Sequence, residues 1–163
     1  MKTQTSAPSW VPIFGMWAIV AVATLLLIRI EGWTQREDML RVFVGIVLLT
    51  FSIPKLMHLR GFADAFSRYD IVANAFRPYA MIYPFLELIL GFLYLFNAVP
   101  LITNGVTLFI MSLSAFGVFM ALFEGKTLYS ANMGAIFRVK LGLITLMENA
   151  VVASVALVFL WWM

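Results

Sequence analysis

The sequence predicts an all-α integral membrane protein: a four-helix transmembrane bundle, preceded by one extra N-terminal transmembrane helix and carrying a short interfacial helix. Composition is the first reason. Of 163 residues, 63% are hydrophobic and 12% charged, with mean hydropathy +0.98, whereas soluble domains are about 45–50% apolar. The second reason is five apolar runs of roughly the 17–25 residues that a spanning helix needs: Pro12 to Ile30, Met39 to Leu59, Tyr79 to Val99, Leu101 to Phe123 and Val139 to Trp162. Residues 1–38 then form an N-terminal segment with the extra helix. Residues 39–163 form the bundle, with the interfacial helix at about 60–76.

The first run has only Lys2 before it and ends in Arg29-Ile30-Glu31 without a small-residue cleavage site, so it reads as a retained helix and not a signal peptide. The polar loop that follows holds Thr34-Gln35-Arg36-Glu37, a Ser/Thr-x-x-Glu capping box that would start the second helix sharply. Between Arg60 and Arg77, the residues Phe62, Phe66, Tyr69, Ala73 and Phe76 recur at helical spacing. Asp64, Arg68, Asp70 and Asn74 take the other face. This is the pattern of a helix lying in the interface, its aromatic stripe anchored in lipid. The connection Asn97 to Leu101 is short and uncharged, which makes the third and fourth helices a tight hairpin turned by Val99-Pro100. Gly117 with Ala121, and Ala150 with Ser154, put small residues four apart, where helices can approach closely.

Basic residues mark the cytoplasmic ends of spanning helices. With five crossings, Lys2, Lys55, Arg60, Arg68, Arg77, Lys126, Arg138 and Lys140 fall on one side and Arg29, Arg36 and Arg41 on the other. The imbalance predicts a bacterial inner-membrane protein with a cytoplasmic N-terminus and a periplasmic C-terminus. Trp33, Trp161 and Trp162 then lie in the outer aromatic belt and Trp10 in the inner one.

Glu87 and Glu148 fall near the middle of spanning segments, where a carboxylate is expensive and calls for a named partner. Both helices start on the same side, so each acid lies roughly 13 Å deep at 1.5 Å rise per residue. Lys55, just after Pro54 near the inner end of the second helix, has a flexible stem that reaches toward that level. Asn149, Thr145, Tyr83 and Asn104 are candidate helpers. Two readings of the polar core Lys55, Glu87, Glu148 and Asn149 stay open: a structural lock between helices, or a ligand or proton site.

Other chemistry is thin. The chain has no cysteine, which removes thiol–disulfide exchange, iron–sulfur ligation and thioether-linked haem. His58 is the single histidine. It could serve as a weak axial ligand, but no metal site or other cofactor can be assembled from this chain alone, and an interfacial hydrogen-bonding role is the ordinary one. No phosphate loop, HExxH motif or serine elbow occurs, so no catalytic residue stands out. The ten methionines read as gap-filling core.

The run Lys55 to Gly91 holds Lys55, Phe62, Phe66, Tyr69-Asp70, Tyr83-Pro84-Phe85-Leu86-Glu87-Leu88 and Gly91. The tail holds Gly134-Ala135-Ile136-Phe137-Arg138-Val139-Lys140-Leu141-Gly142 and then Leu143-Ile144-Thr145-Leu146-Met147-Glu148-Asn149. Together, over about residues 40 to 160, they resemble the DoxX/MauE superfamily of small membrane proteins. The resemblance implies a bundle of helices two to five, with the first helix as an addition. It also implies association with disulfide handling in methylamine dehydrogenase maturation, with quinone-linked sulfur oxidation, or with no assigned role. Where redox-associated members carry a Cys-x-Cys pair, this chain has Ser130 and Asn132. Thiol chemistry therefore does not carry over.

The expected function is a non-catalytic accessory, scaffold or assembly subunit of a larger redox, photosynthetic or respiratory membrane complex. The alternative is a subunit of a membrane oxidoreductase that binds quinone or another lipophilic ligand through the Glu/Lys cluster. Transport of a small solute or of protons is a third class, which needs a water path to the acids. The expected partners are the lipid bilayer and a larger complex or further copies of the chain, and no nucleic acid.

Overall fold

The computed structural model describes residues 11–32, 35–125 and 143–162. Every regular element among them is helical: α1 (Val11–Glu31), α2 (Arg36–Met57), α3 (Leu59–Phe66), α4 (Ile71–Ala75), α5 (Arg77–Leu95), α6 (Pro100–Phe123) and α7 (Leu143–Trp162). Four of these, α1, α2, α5 and α6, are long and apolar enough to cross a membrane, and Leu146–Trp162 of α7 is a shorter apolar helix. The chain is thus an all-α membrane bundle. Trp10, Trp33, Ser130 and Asn132, with the basic residues Lys2, Lys126, Arg138 and Lys140, lie outside the described residues.

Two helix pairs build the bundle, α2 with α5 and α6 with α7, and α1 lies along α2. The first pair approaches closely because both helices present glycine at the crossing. A methyl group on Gly45 would lie 3.0 Å from the Gly91 carbonyl oxygen. Trp17 holds α1 in place by packing on Phe43 and Phe51, with ring centroids 6.3 and 5.8 Å apart. Helix α2 starts at Arg36, with Gln35 at the N-cap and no side-chain cap bond. The reach-back partner of the expected capping box, Glu37, therefore falls in the first turn, and Thr34 is not described.

The segment after α2 departs most from expectation. It is two short helices, broken at Ser67–Asp70, and its stripe faces protein. Phe62, Phe66 and Ala73 are fully buried and Tyr69 nearly so, while Phe76 is exposed. Asp70, read from sequence as a polar-face residue, is buried too, because it caps α4 by accepting a hydrogen bond from the Ala73 amide at 2.9 Å. The helices α3 and α4 pack against α5, filling the volume beyond the end of α2. Gly117 of α6 lets the turn come close: a methyl group there would sit 2.5 Å from the Tyr69 carbonyl oxygen.

At the opposite end, α5 and α6 are joined by residues 96–99, with Asn97 at φ 51° and Val99 at φ 39°. A β-branched residue in the left-handed region is strained, more so before a proline. Its neighbours fix it: Thr103 donates its amide to Val99 O and its hydroxyl to Ala98 O, and the Ala98 amide donates to Leu93 O.

Candidate functional site

Pro54 and Lys55 sit in the last two turns of α2, and Pro84 sits three residues before Glu87 in α5. Each proline removes one intrahelical hydrogen bond beside the polar pair. Lys55 and Glu87 face each other across the α2–α5 contact. The Lys55 ammonium donates to both Glu87 carboxylate oxygens at 2.6 Å, and the two side chains are 1% and 4% exposed. An ion pair so far from water is sustained only by good geometry and full satisfaction of its groups.

The α3–α4 segment closes one side of the pair. The Lys55 ammonium lies 5.2 Å from the Tyr83 ring centroid and 5.6 Å from that of Phe62, within cation–π reach. Phe66 packs on both rings, 5.0 Å from Phe62 and 4.6 Å from Tyr83. The Tyr83 hydroxyl points at the Met111 sulfur, 3.8 Å away. Aromatic side chains thus stand between the charges and the end of the bundle.

On the other side, Glu148 and Asn149 of α7 reach the same place. Lys55, Glu87, Glu148 and Asn149 line one cavity with Val47, Leu48, Phe51, Met111 and Val152, and its volume is about 20 Å³. That suits a single water molecule. The Asn149 amide donates to the Ser114 hydroxyl at 3.1 Å, tying α7 to α6. Ser114, a fully buried hydroxyl in apolar α6, was not singled out from sequence. Its signal is the polar stripe Asn104, Thr107 and Ser114 on the helix face that also carries Met111 and Gly117.

Not every candidate helper is here. Asn104 is at the far end of the bundle, where its side-chain oxygen accepts from the Tyr94 hydroxyl at 2.7 Å and its amide donates to Pro100 O. Five residues into α6, it lies only about 6 Å along the helix from that end. The Thr145 side chain is not described. His58 is exposed at the junction of α2 and α3, and no group of three or more metal-ligating side chains occurs among the described residues.

This geometry unites α2, α5 and α7 around one polar core inside a bundle to which α1 is added, and residues 32–162 match the family model described as methylamine utilisation protein MauE. The chain belongs to the MauE family. Helix α1 lies before the matched MauE region, while the pair, the α3–α4 segment and the second helix pair all lie within it. No curated protein and no solved structure matches the chain.

Proposed function

We propose that this MauE-family protein is a non-catalytic accessory subunit that scaffolds or assembles a larger bacterial membrane complex, and that its polar core is a lock between helices. One observation carries this reading: the Lys55 ammonium and both Glu87 oxygens satisfy each other, and the space beside them holds about 20 Å³. A quinone or similar ligand occupies a site of about 300–1,000 Å³, so the quinone-binding alternative would require the bundle to open. The absence of cysteine fits a role beside redox partners and not thiol exchange by this chain. The family's description points to methylamine utilisation, and an accessory role in such a system agrees with it. The eight basic residues that five crossings assign to one side, against three on the other, support a cytoplasmic N-terminus and a periplasmic C-terminus.

Mild detergent extraction of the natively expressed, tagged protein tests the proposal. A stoichiometric complex with larger membrane subunits is the expected result. A lone oligomer that carries bound quinone would overturn it.

A further inference from the structure

The end of the bundle opposite α3–α4 contains a second cavity, of about 240 Å³, where α2, α5, α6 and α7 terminate. Its walls include Glu37, Asp38, Arg41, Asn104, Phe159 and Trp162. Two helix N-termini (α2 and α6) and two C-termini (α5 and α7) meet here, so the helix dipoles offset one another. The side chains therefore decide the sign of the site.

Arg41 is already engaged. It donates to Tyr94 O at 2.6 Å and Leu95 O at 2.7 Å, capping α5, and it pairs with Asp38 at 3.1 Å. Glu37 makes no ion pair among the described residues, and the lining sets two carboxylates, Glu37 and Asp38, against one guanidinium, Arg41, with Phe159 and Trp162 as its aromatic members. A carboxylate with aromatic walls is the chemistry that recognises an organic cation. The floor is polar and preformed, since Tyr94, Thr103 and Asn104 are buried and hydrogen-bonded in place.

We infer that this cavity binds a primary alkylammonium group, with Glu37 as its counter-charge and Phe159 and Trp162 as its walls. The volume suits a headgroup and is small for a drug-sized molecule. Its place at the helix ends, with Trp162 at the rim, is the level of the lipid headgroups. The ammonium can come from an ethanolamine phospholipid or from a free amine.

Native mass spectrometry of the full chain, with phosphatidylethanolamine and phosphatidylglycerol of matched acyl chains, reads the lipid source. Unfolding temperature in ethylammonium chloride against sodium chloride reads the free-amine source. The formal net charge of +3 favours the anionic lipid, so a preference for ethanolamine lipid is diagnostic. The expected result is that preference, stabilisation by ethylammonium, or both. Because Glu37 is exposed, Glu37→Gln should weaken whichever response is found by about two- to five-fold, with the circular dichroism spectrum unchanged. Trp162→Leu should weaken it as well. Equal retention of the two lipids with no ethylammonium effect, or a response that Glu37→Gln leaves intact, would overturn the assignment.

Discussion

Replacing Glu87 with methionine removes the carboxylate that accepts from Lys55 at 2.6 Å and leaves an ammonium that is 1% exposed inside the bundle. An orphaned buried charge costs about 3–5 kcal/mol. Two ring faces, at 5.2 and 5.6 Å, remain to hold the ammonium and offset about 1 kcal/mol of that. Glu87→Met should therefore destabilise the chain by about 2–4 kcal/mol, roughly 30- to 1,000-fold in the folding equilibrium. Lys55→Met orphans a carboxylate, which ring faces repel, so it should lose the full ~3–5 kcal/mol. The double variant removes both charges of the pair together, leaving Glu148 as it is in the wild type, and should return to within about 1 kcal/mol of wild type. Reversible unfolding in detergent, followed by far-ultraviolet circular dichroism, measures all four corners of the cycle. Recovery of the co-purifying complex, scored in parallel, reads assembly. A double variant as damaged as the two single ones combined would refute the lock. So would a double variant that folds and assembles like wild type yet abolishes an electron-transfer activity of the complex, because the charges would then be serving chemistry.

Gly117→Ala should lower stability by about 1–3 kcal/mol, since its methyl group meets a backbone carbonyl and not a flexible side chain; a thermal scan measures this. Arg41→Met should lower the unfolding temperature by removing the donors to Tyr94 O and Leu95 O, a loss of about 1–3 kcal/mol. Burial pushes the Asp70 carboxyl above its ordinary value of 3.8, against the pull of the Ala73 and Val72 amides. A group with a raised folded value binds its proton more tightly in the native state. Its contribution is thus fully present below pH 3.8 and is lost as pH rises through the raised value. Asp70→Asn keeps an N-cap acceptor and should flatten that part of the stability–pH profile relative to wild type.

Helix counting in the sequence places Glu87 and Glu148 at one depth because rise per residue is fixed and both helices start on the same side. Lys55 is legible as well, since a lone basic residue one position after a proline in an apolar run stands out. What faces the Phe62–Phe66–Tyr69 stripe is not legible. Helical spacing defines a face, but in a membrane lipid tails and a protein core are equally apolar, so the pattern cannot say which one the face meets. The one residue that could have told them apart is Gly117, whose missing side chain makes room for the Tyr69 carbonyl. Asp70 misleads for a related reason: a carboxylate that caps a helix start gains a backbone donor for one oxygen and is drawn into the interior with the turn it caps. Asn104 misleads differently, because an amide in an apolar helix invites pairing with the acids until its distance from the helix start is counted.

The order of synthesis gives the Lys55–Glu87 pair a temporal meaning. The two residues are 32 positions apart in the chain, and at roughly 5–20 residues per second the lysine is made about two to six seconds before its partner. During that interval α2 carries an unmatched ammonium. The position of Lys55 two residues from the end of α2 lets its side chain wait at the membrane surface. Glu87 arrives with α5, and Gly117, whose missing side chain makes room for the Tyr69 carbonyl, arrives later still with α6. The order of the chain thus supplies the ammonium first, its carboxylate second, and the glycine that admits the Tyr69 turn third.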